Sequence, residues 1–220
     1  MRAATICIFA KPPHPGETKT RLVPAIGADN AARVAQALLD DVIEVALRVP
    51  RANVVLSVTR RFALPGRSLP MWPQPEGDLG ARIEHTLRRA LLESTCAIAV
   101  GADTPGLTPA MLDDAIRQLD SCDAVLGPAH DGGYYLLGLR RCPQALFQNI
   151  RWSHKATLDD TIARFQQLGV QHSLLPKWFD LDTPEDLTRT RYLLSAREMT
   201  APHLRSVLHS IGILSEQTIA

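Results

Sequence analysis

The sequence predicts one α/β domain built around a mostly parallel β-sheet, and three observations indicate this class. The chain has 220 residues with 45% hydrophobic and 21% charged residues, which suits a globular domain with a sizeable core. Short apolar segments rich in β-branched residues alternate with amphipathic segments of helical period. Such alternation is typical of parallel sheets, which bind their ligands beyond the carboxyl ends of the strands.

The predicted strands are apolar runs of the kind that are buried on both faces of a sheet. In chain order they cover residues 4–10, 53–59, 70–72, 96–101, 123–126, 134–139 and 171–175. The predicted helices carry an apolar stripe together with a start or stop signal. They cover residues 29–49, 78–91, 108–119 and 157–168, then a segment that starts at 183, and residues 202–213.

Capping patterns mark the starts of several predicted helices. Asp29 and Asp78 are predicted N-caps, and Thr108 is a cap followed by proline at the first helical position. Thr183 with Asp186 three residues later has the pattern of a capping box. We therefore expect Asp186 to have a structural role.

Charge, hydropathy and cysteine usage exclude several function classes. The net charge of +1 gives no broad basic surface for nucleic acid or an anionic membrane. No segment approaches the roughly 20 apolar residues of a membrane span, and the N-terminus lacks the pattern of a signal peptide. The four cysteines are dispersed without a CxxC pair, which is typical of a reducing compartment. We expect a cytoplasmic protein that binds neither nucleic acid nor membrane.

A basic loop follows the first predicted strand. It contains Lys11, Lys19 and Arg21 beside Gly16, and such cations together with backbone N–H groups are suited to phosphate. The loop lacks the Gly-Lys-Thr order of a Walker A motif. The alternative is a solvated basic loop, but its place after the first strand of an α/β sheet favours phosphate binding.

Acidic residues follow the central strand and precede a later helix. Asp103 directly follows a predicted strand, where a carboxylate can hold a hard divalent cation or cap a turn before Pro105. Asp180 and Asp182 alternate along a segment that we expect to be extended, so their side chains lie on the same side. Either residue can supply a second carboxylate or be solvated.

Three further segments are candidates for ligand contact, each with a structural alternative. Asp78 and Gly80 present a helix N-terminus to a ribose or base, or form a capped start without a ligand. Gly132 and Gly133 allow the close approach of a ligand, or form a hairpin turn. Trp152 lines an acceptor pocket, or packs on the edge of the sheet.

Several motifs in this order resemble the GT-A superfamily of nucleotide-diphospho-sugar transferases, and most closely a bacterial family of GT-A-like glycosyltransferases. They are Phe9-Ala10-Lys11-Pro12, Lys19-Thr20-Arg21-Leu22, Gly77-Asp78-Leu79-Gly80 with Arg82, Gly101-Ala102-Asp103-Thr104-Pro105, Gly127-Pro128 with Asp131-Gly132-Gly133-Tyr134, Trp152-Ser153 and Asp180-Leu181-Asp182-Thr183-Pro184-Glu185-Asp186-Leu187. The set is also similar to 2-phospholactate and molybdopterin guanylyltransferases. The resemblance spans residues 4–195 and implies a Rossmann-like α/β/α sandwich.

The resemblance also implies roles for individual residues. Lys19 and Arg21 match phosphate ligands, Asp103 matches the first metal carboxylate, and Asp182 matches the second better than Asp180 does. The implied cofactor is Mg²⁺ or Mn²⁺. Two departures matter: the first loop is not glycine-rich, and the Asp-x-Asp of many glycosyltransferases of this fold is replaced by Asp103-Thr104-Pro105.

These matches define the expected site. The catalytic set is Lys19, Arg21, Asp103 and Asp131, and the nucleotide-binding set is Lys11, Gly16, Lys19, Arg21, Asp78, Gly80 and Asp103. The acceptor or sugar set is Asp131, Gly132, Gly133 and Trp152, and the metal set is Asp103 and Asp182. Asp131 is expected to act as a base or to hold a sugar hydroxyl.

The leading functional hypothesis is metal-dependent transfer of a sugar from a nucleoside diphosphate-sugar to a small-molecule acceptor. The first alternative is nucleotidyl transfer from a nucleoside triphosphate to a phosphorylated small molecule, with release of pyrophosphate. The second is a nucleotide-binding module without turnover. We expect one domain over residues 1–199 and a helical tail over 200–220, which packs on its own domain or on a second copy in a homodimer.

Overall fold

One seven-stranded sheet forms the centre of the fold in the computed structural model, which describes residues 4–215. The strands are β1 (Ala4–Ala10), β2 (Ala52–Val58), β3 (Met71–Pro73), β4 (Ala97–Gly101), β5 (Ala124–Pro128), β6 (Tyr134–Leu139) and β7 (His172–Leu174). Their order across the sheet is β3-β2-β1-β4-β6-β5-β7, and only β6 runs antiparallel to its neighbours. The predicted mostly parallel sheet is confirmed.

Helices cover both faces of this sheet. They are α1 (Val23–Ile26), α2 (Ala28–Leu47), α3 (Leu79–Leu91), α4 (Pro109–Gln118), α5 (Thr157–Gln167), α6 (Pro184–Ser195) and α7 (Pro202–Ser210). Apolar side chains of α2 and α4 share one buried cluster with the sheet, and those of α3 and α5 share a second. These two clusters form the α/β/α layers that the sequence predicts.

Side-chain caps begin three of the helices as predicted. Asp78 Oδ1 accepts from Ala81 N at 2.8 Å at the start of α3, and Thr108 Oγ1 accepts from Met111 N at 3.2 Å at the start of α4. Thr183 and Asp186 form a reciprocal capping box at the start of α6. This box fixes the chain immediately after Asp182, which matters for the site described below.

The predicted N-cap of α2 is wrong by two residues, because the helix is capped at Gly27 and not at Asp29. Gly27 occupies the cap position with φ +81° and makes no side-chain cap bond, because it has no side chain to offer. Asp29 lies within the first turn instead. An acidic residue in the first turn is favoured by the positive end of the helix dipole.

A short helical segment lies within the region predicted as a loop. Residues Thr20–Leu22 form a 3₁₀ turn that runs directly into the four-residue α1. Elements of three and four residues are too short to show an apolar period, so the sequence pattern does not reveal them. The fully buried side chain of Leu22 anchors this segment.

The C-terminal helices pack on the chain itself. Leu204 and Leu208 of α7 are fully buried in a third apolar cluster with α2 and α6. The carboxylate of Asp41 accepts from the backbone N–H groups of His203 and Leu204 at 2.9 and 3.0 Å, so it caps α7 from α2. Residues 216–220 of the predicted tail lie outside the described residues.

Among residues 4–215, no helix has both the length and the apolar character that crossing a lipid bilayer requires.

Candidate active site

A cavity of about 730 Å³ opens at the carboxyl ends of β1 and β4. The loop after β1, the residues after β4, the start of α3 and the segment before α6 line it. Its charged lining residues are Lys11, Glu17, Lys19, Arg21, Asp78, Arg82, Asp103, Asp180 and Asp182. The cavity therefore lies where a ligand is expected to bind in an open parallel sheet.

Lys19 is the centre of an ion-pair cluster in this cavity. Its Nζ donates to Asp103 Oδ2 at 3.0 Å and to Asp182 Oδ1 at 3.2 Å. The second oxygen of Asp182 accepts from Arg21 Nη1 at 2.9 Å. The structure thus brings together four residues that the sequence predicts to act together, although they come from segments far apart in the chain.

The backbone of Lys19 has an uncommon conformation. Lys19 has φ +48°, in the left-handed region that residues other than glycine seldom adopt. The 3₁₀ turn that follows closes with a bond from Leu22 N to Lys19 O at 2.8 Å. This conformation costs free energy, which the contacts of Lys19 with its surroundings must offset.

Lys19 stays charged in this setting. Burial by itself lowers the pKa of Lys19, but the charges of Asp103 and Asp182 and their hydrogen bonds outweigh burial, so the pKa is raised. The ammonium therefore keeps its positive charge beside the two carboxylates across the neutral pH range.

Asp180 is a third carboxylate beside this cluster. Its Oδ1 accepts from Thr104 Oγ1 at 2.7 Å. Burial, followed by the negative charge of Asp103, raises the pKa of Asp180 to about 7. Asp180 is thus hydrogen-bonded to Thr104, the residue after Asp103, whereas Asp182 contacts Lys19 and Arg21.

The turn between β5 and β6 contains three of the predicted acceptor residues. Asp131 Oδ1 accepts from Gly133 N at 2.9 Å, which closes a tight turn. Gly132 has φ +90°, and a Cβ there would lie 2.1 Å from the carbonyl oxygen of Lys155. The close approach that Gly132 permits is therefore that of the protein's own backbone.

Gly80 and Trp152 contact each other. A Cβ at Gly80 would lie 2.6 Å from ring atoms of Trp152, so only glycine lets the indole pack on the start of α3. The indole also packs against Tyr134 and Phe147, with ring centroids 6.5 and 6.2 Å away. This contact connects the loop before α5 to the helix that carries Asp78.

Two of the remaining predicted nucleotide-binding residues line the cavity, and Gly16 does not. Lys11 lines the cavity, and Asp78 both lines it and caps α3. Gly16 has φ +77° in the loop after β1, and a Cβ there would meet no atom within 4 Å. The role of Gly16 in the structure is thus to turn the chain.

Sequence reasoning did not assign three residues that contribute to the site. Arg82 lines the cavity and donates from Nε to Gly77 O at 3.1 Å. Gln74 lines it beside the end of β3, and Thr104 holds Asp180. Arg82 lies one helical turn after Asp78, on the same face of α3, so the i, i+4 spacing could have identified it.

The donor set of the cavity suits a hard divalent cation. Asp103 and Asp182 each place one carboxylate oxygen within 3.2 Å of the Lys19 ammonium, so the two carboxylates can contact the same cation. Within residues 4–215 no group of three or more His, Cys, Asp and Glu side chains is placed to hold a metal. Magnesium commonly takes only one or two carboxylates from a protein and completes its shell with water and substrate phosphate.

Two known proteins similar to this chain are named as transferases. Phosphoenolpyruvate guanylyltransferase of Conexibacter woesei is 26% identical over 203 residues, which are 88% of this chain and 90% of that protein. A crystal structure from Desulfovibrio desulfuricans G20, assigned to the nucleotide-diphospho-sugar transferases, is 28% identical with a TM-score of 0.84, and the match covers 98% of this chain and 100% of that one. The predicted resemblance and the prediction of a transferase are confirmed.

A more distant structure shares the fold alone. CMP:2-keto-3-deoxy-manno-octonic acid synthetase complexed with CTP is 13% identical with a TM-score of 0.56, over 89% of this chain and 99% of that one. The predicted Rossmann-like fold class is confirmed by this likeness and by the sheet described above.

One family model matches residues 33–154, which are more than half of the chain. The matched segment includes Asp78, Asp103 and the turn at Asp131, whereas the basic loop and Asp182 lie on either side of it. The chain belongs to the DUF2064 family, which is described as an uncharacterized protein conserved in bacteria.

Proposed function

We propose that the protein is a metal-dependent nucleotidyltransferase, which transfers a nucleoside monophosphate from a nucleoside triphosphate to a phosphorylated small molecule and releases pyrophosphate. The observation that carries this proposal is the cluster of Lys19 and Arg21 on Asp103 and Asp182 in one cavity. Cations beside a carboxylate pair suit a chain of phosphates more than a single phosphate. The guanylyltransferase relative, which matches nearly the whole chain, supports the same chemistry.

In this reaction an oxygen of the acceptor's phosphate attacks the α-phosphorus of the triphosphate. The bond between the α-phosphorus and the bridging oxygen breaks, and pyrophosphate leaves with that electron pair. Lys19 and Arg21 lie in the same cavity, where their positive charges can neutralise the departing negative charge. Catalysis here consists mainly of positioning and charge neutralisation.

Asp103 and Asp182 are the residues that would hold Mg²⁺ or Mn²⁺. When bound, such an ion neutralises phosphate charge and orients the phosphates. Asp182 is suited to this role because the capping box at Thr183 fixes its backbone, and Asp186 Oδ2 accepts from Asp182 N at 3.1 Å. Asp103 is fixed from the same segment, since its carbonyl accepts from Leu181 N at 2.9 Å.

Sugar transfer is the second candidate function. The nucleotide-diphospho-sugar transferase structure, with its TM-score of 0.84, supports it. In that reaction an acceptor hydroxyl attacks the sugar carbon and a nucleoside diphosphate leaves, so Lys19 and Arg21 would neutralise a diphosphate. Asp131 would then serve as a base or hold a sugar hydroxyl.

A product assay distinguishes the candidates. The protein is incubated with Mg²⁺ and each nucleoside triphosphate in turn, with phosphoenolpyruvate and other phosphorylated carboxylic acids as acceptors. In parallel it is incubated with UDP- and GDP-sugars. Pyrophosphate that appears only with an acceptor supports nucleotidyl transfer, and nucleoside diphosphate from the sugars supports sugar transfer. Nucleotides that raise the melting temperature without any product would contradict both and indicate a binding module.

Asp103→Asn tests the role of the carboxylate in whichever reaction is found. We expect the rate to fall by about 100-fold or more, because the variant keeps the shape of the side chain but loses its charge. Asp113→Asn is the matched control, since Asp113 lies on α4 and pairs at the surface with Arg117 at 3.3 Å. Equal rates for Asp103→Asn and the wild type would contradict the proposed role of Asp103 as a metal ligand.

A further inference from the structure

The ammonium of Lys19 occupies the point that the two carboxylates of the cavity share. The Lys19 side chain is only 8% exposed, whereas those of Asp103 and Asp182 are 40% and 44% exposed. Lys19 thus lies beneath the carboxylates and binds one oxygen of each. A divalent cation that approached these same two oxygens would meet a positive charge already in contact with them.

Arg21 does not hold the same position. Its side chain is 71% exposed, and it contacts Asp182 through the oxygen that Lys19 leaves unused. Solvent and salt weaken such an exposed pair, while they weaken the buried contacts of Lys19 much less. Lys19 is therefore the group that decides how readily the carboxylate pair accepts another cation.

We propose that Lys19 is an internal counterion, which keeps the carboxylate pair closed to a free divalent cation until the phosphates of a substrate draw its ammonium away. This inference rests on the proposed function, since it concerns the order in which the same site fills. It means that metal and nucleotide bind together far better than either binds alone.

The structure allows this exchange without movement of the backbone. The buried Leu22 and the 3₁₀ turn fix the main chain of Lys19, while the four-carbon stem lets the ammonium turn toward a phosphate. A phosphate oxygen that pairs with the ammonium frees Asp103 and Asp182. By linkage, any group that removes Lys19 from the carboxylates raises their affinity for metal, and metal raises the affinity for that group by the same factor.

The test measures binding of Mn²⁺ alone, by ultrafiltration with the metal retained by the protein counted. We expect wild-type protein to retain little Mn²⁺. Lys19→Met keeps the length of the side chain and removes its charge, so its affinity for Mn²⁺ should rise by roughly 5- to 150-fold, the usual range for coupled sites. Lys19→Gln is a second uncharged variant. It replaces Lys19→Met in the test if circular dichroism shows that Lys19→Met is not folded.

Lys177→Met is the matched control. Lys177 is an exposed lysine that does not line the cavity. Because the proposed effect depends on the contacts of Lys19 with Asp103 and Asp182, Lys177→Met should retain nearly as little Mn²⁺ as the wild type. An equal gain in Lys177→Met, or no gain in both Lys19 variants, would overturn the proposal.

Inorganic pyrophosphate supplies the second arm. It should increase the Mn²⁺ that wild-type protein retains, and it should increase that of the Lys19 variants by a much smaller factor. If pyrophosphate increased Mn²⁺ retention by the same factor in the wild type and in the Lys19 variants, phosphate would not act by drawing Lys19 away. Failure of the proposed function is separate, because it is defined by the absence of product with nucleotides, whereas these measurements use no nucleotide and no turnover.

Discussion

Single residues whose shape or conformation is unusual carry much of the site. Lys19 combines a left-handed backbone with a buried charge, and Gly80 lies against an indole that leaves no room for a side chain. In both cases the neighbours decide which residue can occupy the position. Substitutions at such positions are informative because their effects have one dominant physical cause.

Gly80→Ala should destabilise the protein by about 1–3 kcal/mol, the usual cost of overpacking. Its Cβ would lie 2.6 Å from the Trp152 ring, and this clash outweighs the better helix propensity of alanine. The measurement is urea unfolding of Gly80→Ala, Trp152→Leu and the double variant. The double variant should lose at least about 0.5 kcal/mol less than the sum of the single variants. Strict additivity would show that the two side chains do not meet.

At the scale of elements, the ends of helices and strands position the charged groups. The capping box of α6 follows Asp182, the cap of α3 lies on the cavity wall, and the 3₁₀ turn follows Lys19. Local hydrogen bonds fix each of these ends, and the buried side chain of Leu22 also anchors the 3₁₀ turn. The site is therefore sensitive to changes at element ends that scarcely alter the core.

Thr183→Ala should cost about 0.5–2 kcal/mol of stability, because it removes a side-chain cap from the start of α6. Guanidinium unfolding checks this value. Thr188→Ala is the control, since Thr188 is an exposed residue of the same helix whose hydroxyl bonds to the carbonyl of Pro184 at 3.0 Å. We expect its effect to stay within about 0.5 kcal/mol. Equal losses in both variants would contradict the capping role.

Asp123 connects the starts of β5 and β7 in a way that depends on pH. Its carboxylate pairs with Arg141 at 2.9 Å and accepts from Gln171 N at 3.1 Å. The hydrogen bond from Arg141 holds the pKa of Asp123 below its usual value. Asp123 is therefore protonated more easily in the unfolded chain than in the folded one. The ionised carboxylate contributes its full stabilisation of the fold above the unfolded pKa of about 3.9. This contribution is lost as the pH falls through the lower pKa of the folded state.

Asp123→Asn should accordingly be less stable than the wild type at pH 7, by no more than about 1 kcal/mol because Arg141 is half exposed. The difference should shrink as the pH falls below about 4. Urea unfolding of both proteins between pH 7 and pH 3 measures it. A difference that stays constant with pH would mean that the charge of Asp123 does not contribute.

At the scale of the whole molecule, the C-terminal helix is part of the folded domain. The apolar side of α7 packs on α2, which in turn packs on the sheet beside β1 and β2. Asp41 of α2 also caps α7. The segment predicted as a tail is thus continuous with the core in its described part, and it should unfold together with the sheet.

Leu208→Ala should destabilise the whole protein by about 2–5 kcal/mol, since Leu208 is fully buried between helices. Thermal unfolding followed by circular dichroism should show one transition at a lower temperature. Ser206→Ala, an exposed position of the same helix, should leave the melting temperature nearly unchanged. An early separate transition in Leu208→Ala would show instead that α7 melts independently of the sheet.

The layout of the fold is largely readable from the sequence because it follows from local patterns. The predicted strand over 134–139 agrees with β6, and the caps at Asp78, Thr108 and Thr183 agree with the structure. The direction of β6 is not readable in this way, because it depends on pairing with β4 and β5 rather than on its own residues. The 3₁₀ turn after Lys19 is too short for any period to show.

Contacts in the candidate site can be predicted from the sequence where a general rule of the fold brings distant residues together. Loops after parallel strands meet at one edge, so Lys19 and Asp103 meet although 84 positions separate them. No such rule predicts the contact of Gly80 with Trp152, since this contact depends on how α3 and the loop before α5 pack. The predicted roles of Asp131, Gly132, Gly133 and Trp152 in acceptor binding remain predictions.

The reversed direction of β6 has a consequence for how members of this family diversify. Because β6 runs against β4 and β5, the turn that connects β5 to β6 opens at the same rim as the loops after β1 and β4. Insertions in that turn would reshape one wall of the rim and leave the cationic wall untouched. We expect relatives with different second substrates to diverge in the length of this turn and to retain Lys19 and Arg21, the proposed phosphate ligands.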